Sequence, residues 1–183
     1  MRELNSKKVA VLATDGFEQS ELDQPVKALK DAGAEVEIVS IKNGSIKGWS
    51  NCNWGDEVKV DKTAGEVSSK DYDAIVLPGG VMNPDKLRAD KNAVAFVSGF
   101  FEEHKPIAAI CHGPWTLIET GQLKGKKMTS YASIKTDLVN AGAEWVDEEV
   151  VVDKGLVTSR KPDDLPAFCK KMIEEIAEGR HDR

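Results

Sequence analysis

Apolar residues along this chain gather in short unbroken runs, and the stretches between those runs carry their apolar positions at helical spacing. Four runs read as buried strands: KVAVLAT (8–14), VEIVSI (36–41), YDAIVLPGG (72–80) and PIAAIC (106–111). Between the first two, SELDQPVKALKDAGA (20–34) places Leu22, Val26 and Leu29 on one helical face, with Gly33 as a stop signal. Pro25 inside that stretch predicts either a first-turn start or a kink. Residues 84–105 predict a helix with a wet face, GPWTLIETGQL a short helix, KMTSY a strand and SIKTDLVNAGA a further helix. NGSIKGWSNCNWGDEVKVD is turn-rich and predicts an edge hairpin, and EWVDEEVVVDKGLVTSR predicts a second one. DDLPAFCKKMIEEIAEG closes the chain with a helix, ahead of a polar RHDR tail.

Strands and helices alternate from end to end, and the strands are apolar on both faces. That pattern predicts an α/β domain with a mostly parallel sheet covered by helices on both sides. There is no internal repeat or linker, so residues 1–183 read as one domain with its core over about 8–177. The formal net charge of −6 argues against a broad nucleic-acid footprint. No apolar run approaches the ~20 residues of a membrane span. The N-terminal apolar stretch is too short for a signal peptide, so the cytoplasm is expected. The three cysteines, Cys52, Cys111 and Cys169, form no C-x-x-C pair, so neither a disulfide framework nor a zinc site is expected.

Open parallel sheets bind ligands beyond the carboxyl ends of their strands. There the first strand is followed by Asp15, Glu18 and Glu21, the third by Gly79 and Gly80, and the fourth by Cys111, His112 and Gly113. A carboxylate, a glycine pair and a thiol beside an imidazole therefore converge on one edge. Ala109 and Gly113 flank Cys111 at two residues on either side, the spacing that a tight strand-to-helix nucleophile elbow needs. Pro114 suits the first helical position, and the new helix points partial positive charge at the sulfur. The elbow frees the N–H of His112 for an oxyanion, and the glycine turn offers others. Adjacent strand residues face opposite ways, so the His112 ring reaches the thiol only where the elbow breaks the alternation. Glu18, pointed at the sulfur, would be partly desolvated and, kept protonated, could donate a hydrogen bond to the thiolate, whereas Glu21 reads as a solvent-facing first-turn acid. Cys169 reads as helix packing, Cys52 as an exposed turn thiol, His104 as a solvated helix end and His181 as part of a frayed tail. Trp49, Trp54 and Trp115 are candidates to wall a pocket.

Lowering a thiol pKa from ~8.5 to ~5.5 raises the thiolate fraction roughly 30-fold at neutral pH. Nucleophilicity falls by a similar factor, so rate should depend more on oxyanion donors.

LATDGFEQSEL, AIVLPGGVMNPDKLR, AAICHGPWTLIE and TSYASIKTDLVNAGAEWVDEEVVVDKGLVTSRKPDDLPAF together resemble the PfpI family, a branch of the class I glutamine amidotransferase-like superfamily. The resemblance implies a flavodoxin-like three-layer sandwich without a cofactor or metal. It implies Cys111 as nucleophile with His112 beside it, Glu18 bonding the thiol, and an oxyanion hole from Gly80 and the N–H of His112. It also implies a homodimer, or in some members a hexamer in which a neighbour's acid orients the histidine; Asp85 stands at that stretch. The implied activities are stress-protective glyoxalase or deglycase chemistry on small carbonyls and glycated proteins or nucleotides, with weak peptidase activity. A redox sensor or holdase chaperone built on oxidation of Cys111 is the alternative. The amidotransferase relatives themselves need a His-x-Glu downstream of the cysteine, and the only later histidine here is His181.

Overall fold

A computed structural model describes residues 4–182. In chain order the elements are β1 (Lys8–Leu12), β2 (Phe17–Glu18), α1 (Gln19–Asp31), β3 (Glu35–Ser40), β4 (Ser45–Ser50), β5 (Asn53–Lys59) and β6 (Lys62–Thr63). They continue with β7 (Ala74–Leu77), α2 (Met82–Ala89), α3 (Lys91–Glu102), β8 (Ile107–Ile110), α4 (Pro114–Ile118) and β9 (Lys127–Met128). The chain then forms α5 (Lys135–Asn140), β10 (Glu144–Trp145), β11 (Val150–Asp153), β12 (Leu156–Ser159) and α6 (Leu165–Glu178).

Seven strands make the main sheet in the order β11-β12-β8-β7-β1-β3-β6. Only the β11–β12 hairpin is antiparallel; every other neighbouring pair is parallel. β1, β7 and β8 at its centre are almost wholly buried, which is why they read as unbroken apolar runs. One face packs under α1 and α6 through Phe17, Leu22, Leu29, Phe168 and Met172. The other packs under α3, α4 and α5 through Phe96, Phe100, Leu117 and Leu138. The result is the flavodoxin-like sandwich expected from the sequence. β4 and β5 form the expected hairpin, with Asn51 and Cys52 at φ 49° and 62° in its tip, and β2 adds a short third strand to it.

Three local expectations change, and that for Pro25 narrows from two alternatives to the one inside the helix. Residues 84–105 do not form one helix: Asp90 is extended and its carboxylate accepts the Ala93 N–H at 2.9 Å, which ends α2 and caps α3. Pro25 lies well inside α1, where its ring leaves the Glu21 carbonyl without its i+4 donor. KMTSY contributes only β9, which pairs with β10 apart from the main sheet. His181 is not frayed: its N–H donates to the His104 carbonyl at 2.9 Å, and its ring lies 3.3 Å from Glu175. Among the described residues no helix is long and apolar enough to cross a membrane.

Candidate active site

β8 ends at Ile110, and the next residue turns sharply. Cys111 has φ 63°, a left-handed conformation that costs a non-glycine residue roughly 1–3 kcal/mol. Its backbone is held on both sides: its N–H donates to Ser159 O at 3.0 Å, and its carbonyl accepts from the Tyr131 N–H at 2.9 Å. The Gly113 N–H closes the turn on Ile110 O at 2.9 Å. Gly113 is required by close approach, since a Cβ there would lie 2.5 Å from Leu77 O. Pro114 opens α4 as expected, but α4 has only five residues, so its end dipole is small. The groups that favour an ionised sulfur are instead the nearby backbone N–H groups of Gly80 and His112. Gly80 can present its N–H because it sits at φ 78° with Gly16 O packed where a Cβ would be, 2.4 Å away.

The acid at the sulfur is Glu21, not Glu18. Glu21 is wholly buried; its Oε2 accepts the Gly79 N–H at 2.8 Å and its carboxyl group is in side-chain contact with Cys111. Oε1 has no hydrogen-bond partner among the described residues. Burial pushes the Glu21 carboxyl up to about 8 against the opposing Gly79 N–H and thiol bonds. Glu18 ends β2 beside Phe17. Strand alternation buries Phe17 and leaves Glu18 half-exposed at the rim, with a 3.3 Å bond from Ser20 Oγ. A Cβ on Gly79 would lie 2.5 Å from Glu21 Oε2 and 2.7 Å from Cys111 Cβ, so that glycine makes room for the acid and thiol to meet. Burial, and then the negative charge Glu21 acquires when it ionises, hold the Cys111 thiol well above its ordinary pKa.

The positive φ of Cys111 breaks strand alternation, so the His112 ring does swing back onto its neighbour. Nδ1 lies 3.3 Å from Cys111 Sγ, and Nε2 lies 3.1 Å from Ser133 Oγ. Tyr131 stacks on the ring at 4.8 Å and Trp115 meets its edge at 5.5 Å. Burial lowers the His112 pKa, so the ring is neutral at pH 7. Ser133, an unremarked residue in a polar stretch, is thus a contact that sequence reading missed; no local signal marks it. Asp85 is exposed on the first turn of α2, and Ser133 holds the ring's far nitrogen within the chain. Trp115 is half-buried, its Nε1–H donating to Asp137 at 2.8 Å with Arg88 over its face. Trp49 and Trp54 do not join it: they pack edge-to-face on each other across the hairpin at 5.4 Å. Cys52 is exposed and Cys169 half-buried.

The residues of this site come from α1, from the ends of β7 and β8 and from the end of β12, and residues 7–175 match the DJ-1/PfpI family. The chain belongs to the DJ-1/PfpI family. General stress protein 18 of Bacillus subtilis is 47% identical over 169 residues, covering 91% of this chain and 96% of its own. Deglycase PfpI of Pyrococcus furiosus is 46% identical over 167 residues, covering 91% and 98%. Among solved structures, a two-domain protein with DJ-1/ThiJ/PfpI-like and ferritin-like domains from Anabaena variabilis superposes with a TM-score of 0.89 at 40% identity. That match covers 93% of this chain and 48% of the other, so this DJ-1/PfpI-family chain spans about half of that two-domain protein.

Proposed function

We propose that this DJ-1/PfpI protein is a cysteine-dependent enzyme that detoxifies reactive 2-oxoaldehydes and removes their adducts from amines, the deglycase and glyoxalase reactions. The observation that supports it most is the buried Cys111 thiol set among the Gly80 and His112 amides, Glu21 and His112 Nδ1. The relatives named deglycase support the substrate class.

In the resting site at pH 7, Glu21 holds a proton, His112 is neutral and Cys111 is a thiol. Ser133 Oγ accepts from Nε2–H, which leaves Nδ1 as the acceptor for the thiol proton. As that proton moves to Nδ1, the sulfur adds to the aldehyde carbon. A C–S bond forms and the carbonyl π pair moves to oxygen, where the Gly80 and His112 amides stabilise the charge. Proton return from His112 gives a hemithioacetal. Moving the hydrogen from the C–S carbon to the neighbouring carbonyl carbon, through an enediol, gives a thioester. Water hydrolyses that thioester, releasing a 2-hydroxy acid and the thiol. The sequence is redox-neutral: oxoaldehyde plus water gives 2-hydroxy acid. When the oxoaldehyde arrives as the hemiaminal of an amine, the free amine leaves as the second product.

The test is Cys111→Ala, assayed for methylglyoxal loss and for release of amine from a methylglyoxal-treated peptide. Both rates should fall to the uncatalysed background; wild-type rates in the variant would refute the proposal. The alternative, a redox sensor acting through oxidation of Cys111, needs the same thiolate; fast oxidation of Cys111 by mild peroxide without carbonyl turnover would favour it. We also propose that the chain forms a homodimer or larger assembly, in which Asp85 of a second copy could approach His112. Light scattering that gives a monomer at assay concentration would remove Asp85 from the site.

A further inference from the structure

The last turn of α6 and the residues after it bring Glu175, Glu178 and His181 together, each with one potential ligand atom within 4.8 Å of the others. His181 Nε2 is 3.3 Å from Glu175 Oε2. Two donor atoms bound to one ion at ~2.1 Å in tetrahedral geometry sit about 3.4 Å apart, so that pair is already at coordination spacing. The histidine is held from outside the cluster, by a separate element. Its N–H donates to the His104 carbonyl at 2.9 Å, and its own carbonyl is 3.0 Å from His104 Nδ1. This reciprocal clasp joins the tail to the turn before β8 and fixes where the imidazole points. The Glu175 and His181 side chains are only 12% and 16% exposed, so the donors are partly shielded from water. The helix ends there, and its C-terminal dipole favours a cation. Lys171, bonded to Glu174 at 2.7 Å, also feels both Glu175 and Glu178 and offsets part of their charge, which weakens the pull on a cation without occupying the ligand atoms of Glu175 and His181.

We propose that Glu175, Glu178 and His181 form a site for one divalent transition-metal ion of the zinc class. One imidazole nitrogen and two carboxylate oxygens suit Zn²⁺ or Co²⁺ over Mg²⁺ or Ca²⁺, which prefer oxygen alone. His104 precedes β8 and Cys111 follows it, so the ion sits at the opposite edge of the sheet from the thiol. Its role is to fasten the chain end to the body of the domain.

The test is titration of the metal-free full chain with Zn²⁺ by calorimetry at pH 7.5, and with Co²⁺ by visible absorption. One equivalent should bind with micromolar or tighter affinity, Tm should rise, and the Co²⁺ spectrum should lack a thiolate charge-transfer band. His181→Ala should weaken binding roughly 100-fold or abolish it, and Glu178→Gln at least ~10-fold. Cys111→Ser should bind as wild type does, and His181→Ala should keep methylglyoxal turnover, which separates this site from the thiol. Uptake only at millimolar metal, uptake unchanged in His181→Ala, or loss of uptake in Cys111→Ser would each overturn the proposal.

Discussion

At neutral pH Glu21 keeps its proton in the folded protein and has lost it in the unfolded chain, because burial raises its pKa from 4.5 to about 8. The folded state therefore binds the extra proton, and stability falls as pH rises between those values, by up to about 1.4 kcal/mol per pH unit. Glu21→Gln keeps an oxygen to accept the Gly79 N–H but has no proton to lose. Denaturant unfolding from pH 5 to 8 should show that this slope has flattened and that the variant is the more stable protein near pH 8. Its turnover should nevertheless drop, because a carboxamide replaces the protonated acid packed against Cys111 and the Gly79 turn. Glu18→Gln removes only the smallest of the causes that raise Glu21, so most of the slope should remain. The two acids could not be told apart in FEQSE by their distance from the strand end alone. Glu18 belongs to a two-residue strand whose alternation turns it outward, and that strand exists only because the distant β4 pairs with it. The buried stripe of α1, with Pro25 and Leu29 at i+4 and i+8 from Glu21, carries the signal that the solvent-facing reading of Glu21 missed. Ser133 makes the parallel case for the imidazole. Ser133→Ala removes the acceptor that keeps Nδ1 free of its proton, so kcat/KM should fall roughly 10-fold, with the loss in kcat rather than KM. Ser133→Thr, which keeps the hydroxyl, should recover much of it; equal kinetics in all three proteins would mean that Ser133 does not orient His112.

The strand-to-helix elbow is an element whose function depends on what is missing from it. AICHGP was legible as an elbow because small residues around a cysteine, followed by proline, have few other uses at a strand end. What could not be read was which backbone groups they spare. Gly113 gives way to Leu77 O on the neighbouring strand, and Gly79 gives way to both Glu21 and Cys111. Gly113→Ala places its Cβ against backbone atoms that a rotamer change cannot relieve, so the variant should lose about 2–4 kcal/mol of stability. Gly79→Ala should instead push the acid and the thiol apart. The expected outcome is a smaller stability loss with a larger fall in the rate of methylglyoxal consumption. Measuring unfolding and turnover on both variants checks this, and a Gly79→Ala enzyme as active as wild type would show that the Glu21–Cys111 contact is dispensable. The helix dipole, invoked from sequence as the source of positive charge, contributes little from a helix as short as α4, and the amides of Gly80 and His112 take its place.

Across the whole molecule the parallel sheet separates two apolar layers, and this explains why the fold was more legible than the site. Strand periodicity and helix stripes are local, so β1, β3, β7, β8 and α6 could be read from short windows. The acid, the amides and the imidazole partner come together only because β1, β7 and β8 lie side by side and end at one edge, a long-range fact. The same two-layer construction predicts how core damage should combine. Ile176 is buried on the face under α6, and Ile134 is buried on the opposite face beside α5. Each Ile→Val change should cost about 0.5–1.5 kcal/mol. With a sheet between them and no shared neighbours in either layer, the double variant should lose the sum to within ~0.5 kcal/mol. Chemical denaturation of the two single variants and the double variant measures the difference. A larger discrepancy would show that the sheet transmits strain between its faces, and a change on the α6 side could then reach the elbow at Cys111, whose N–H is held by Ser159 at the end of β12.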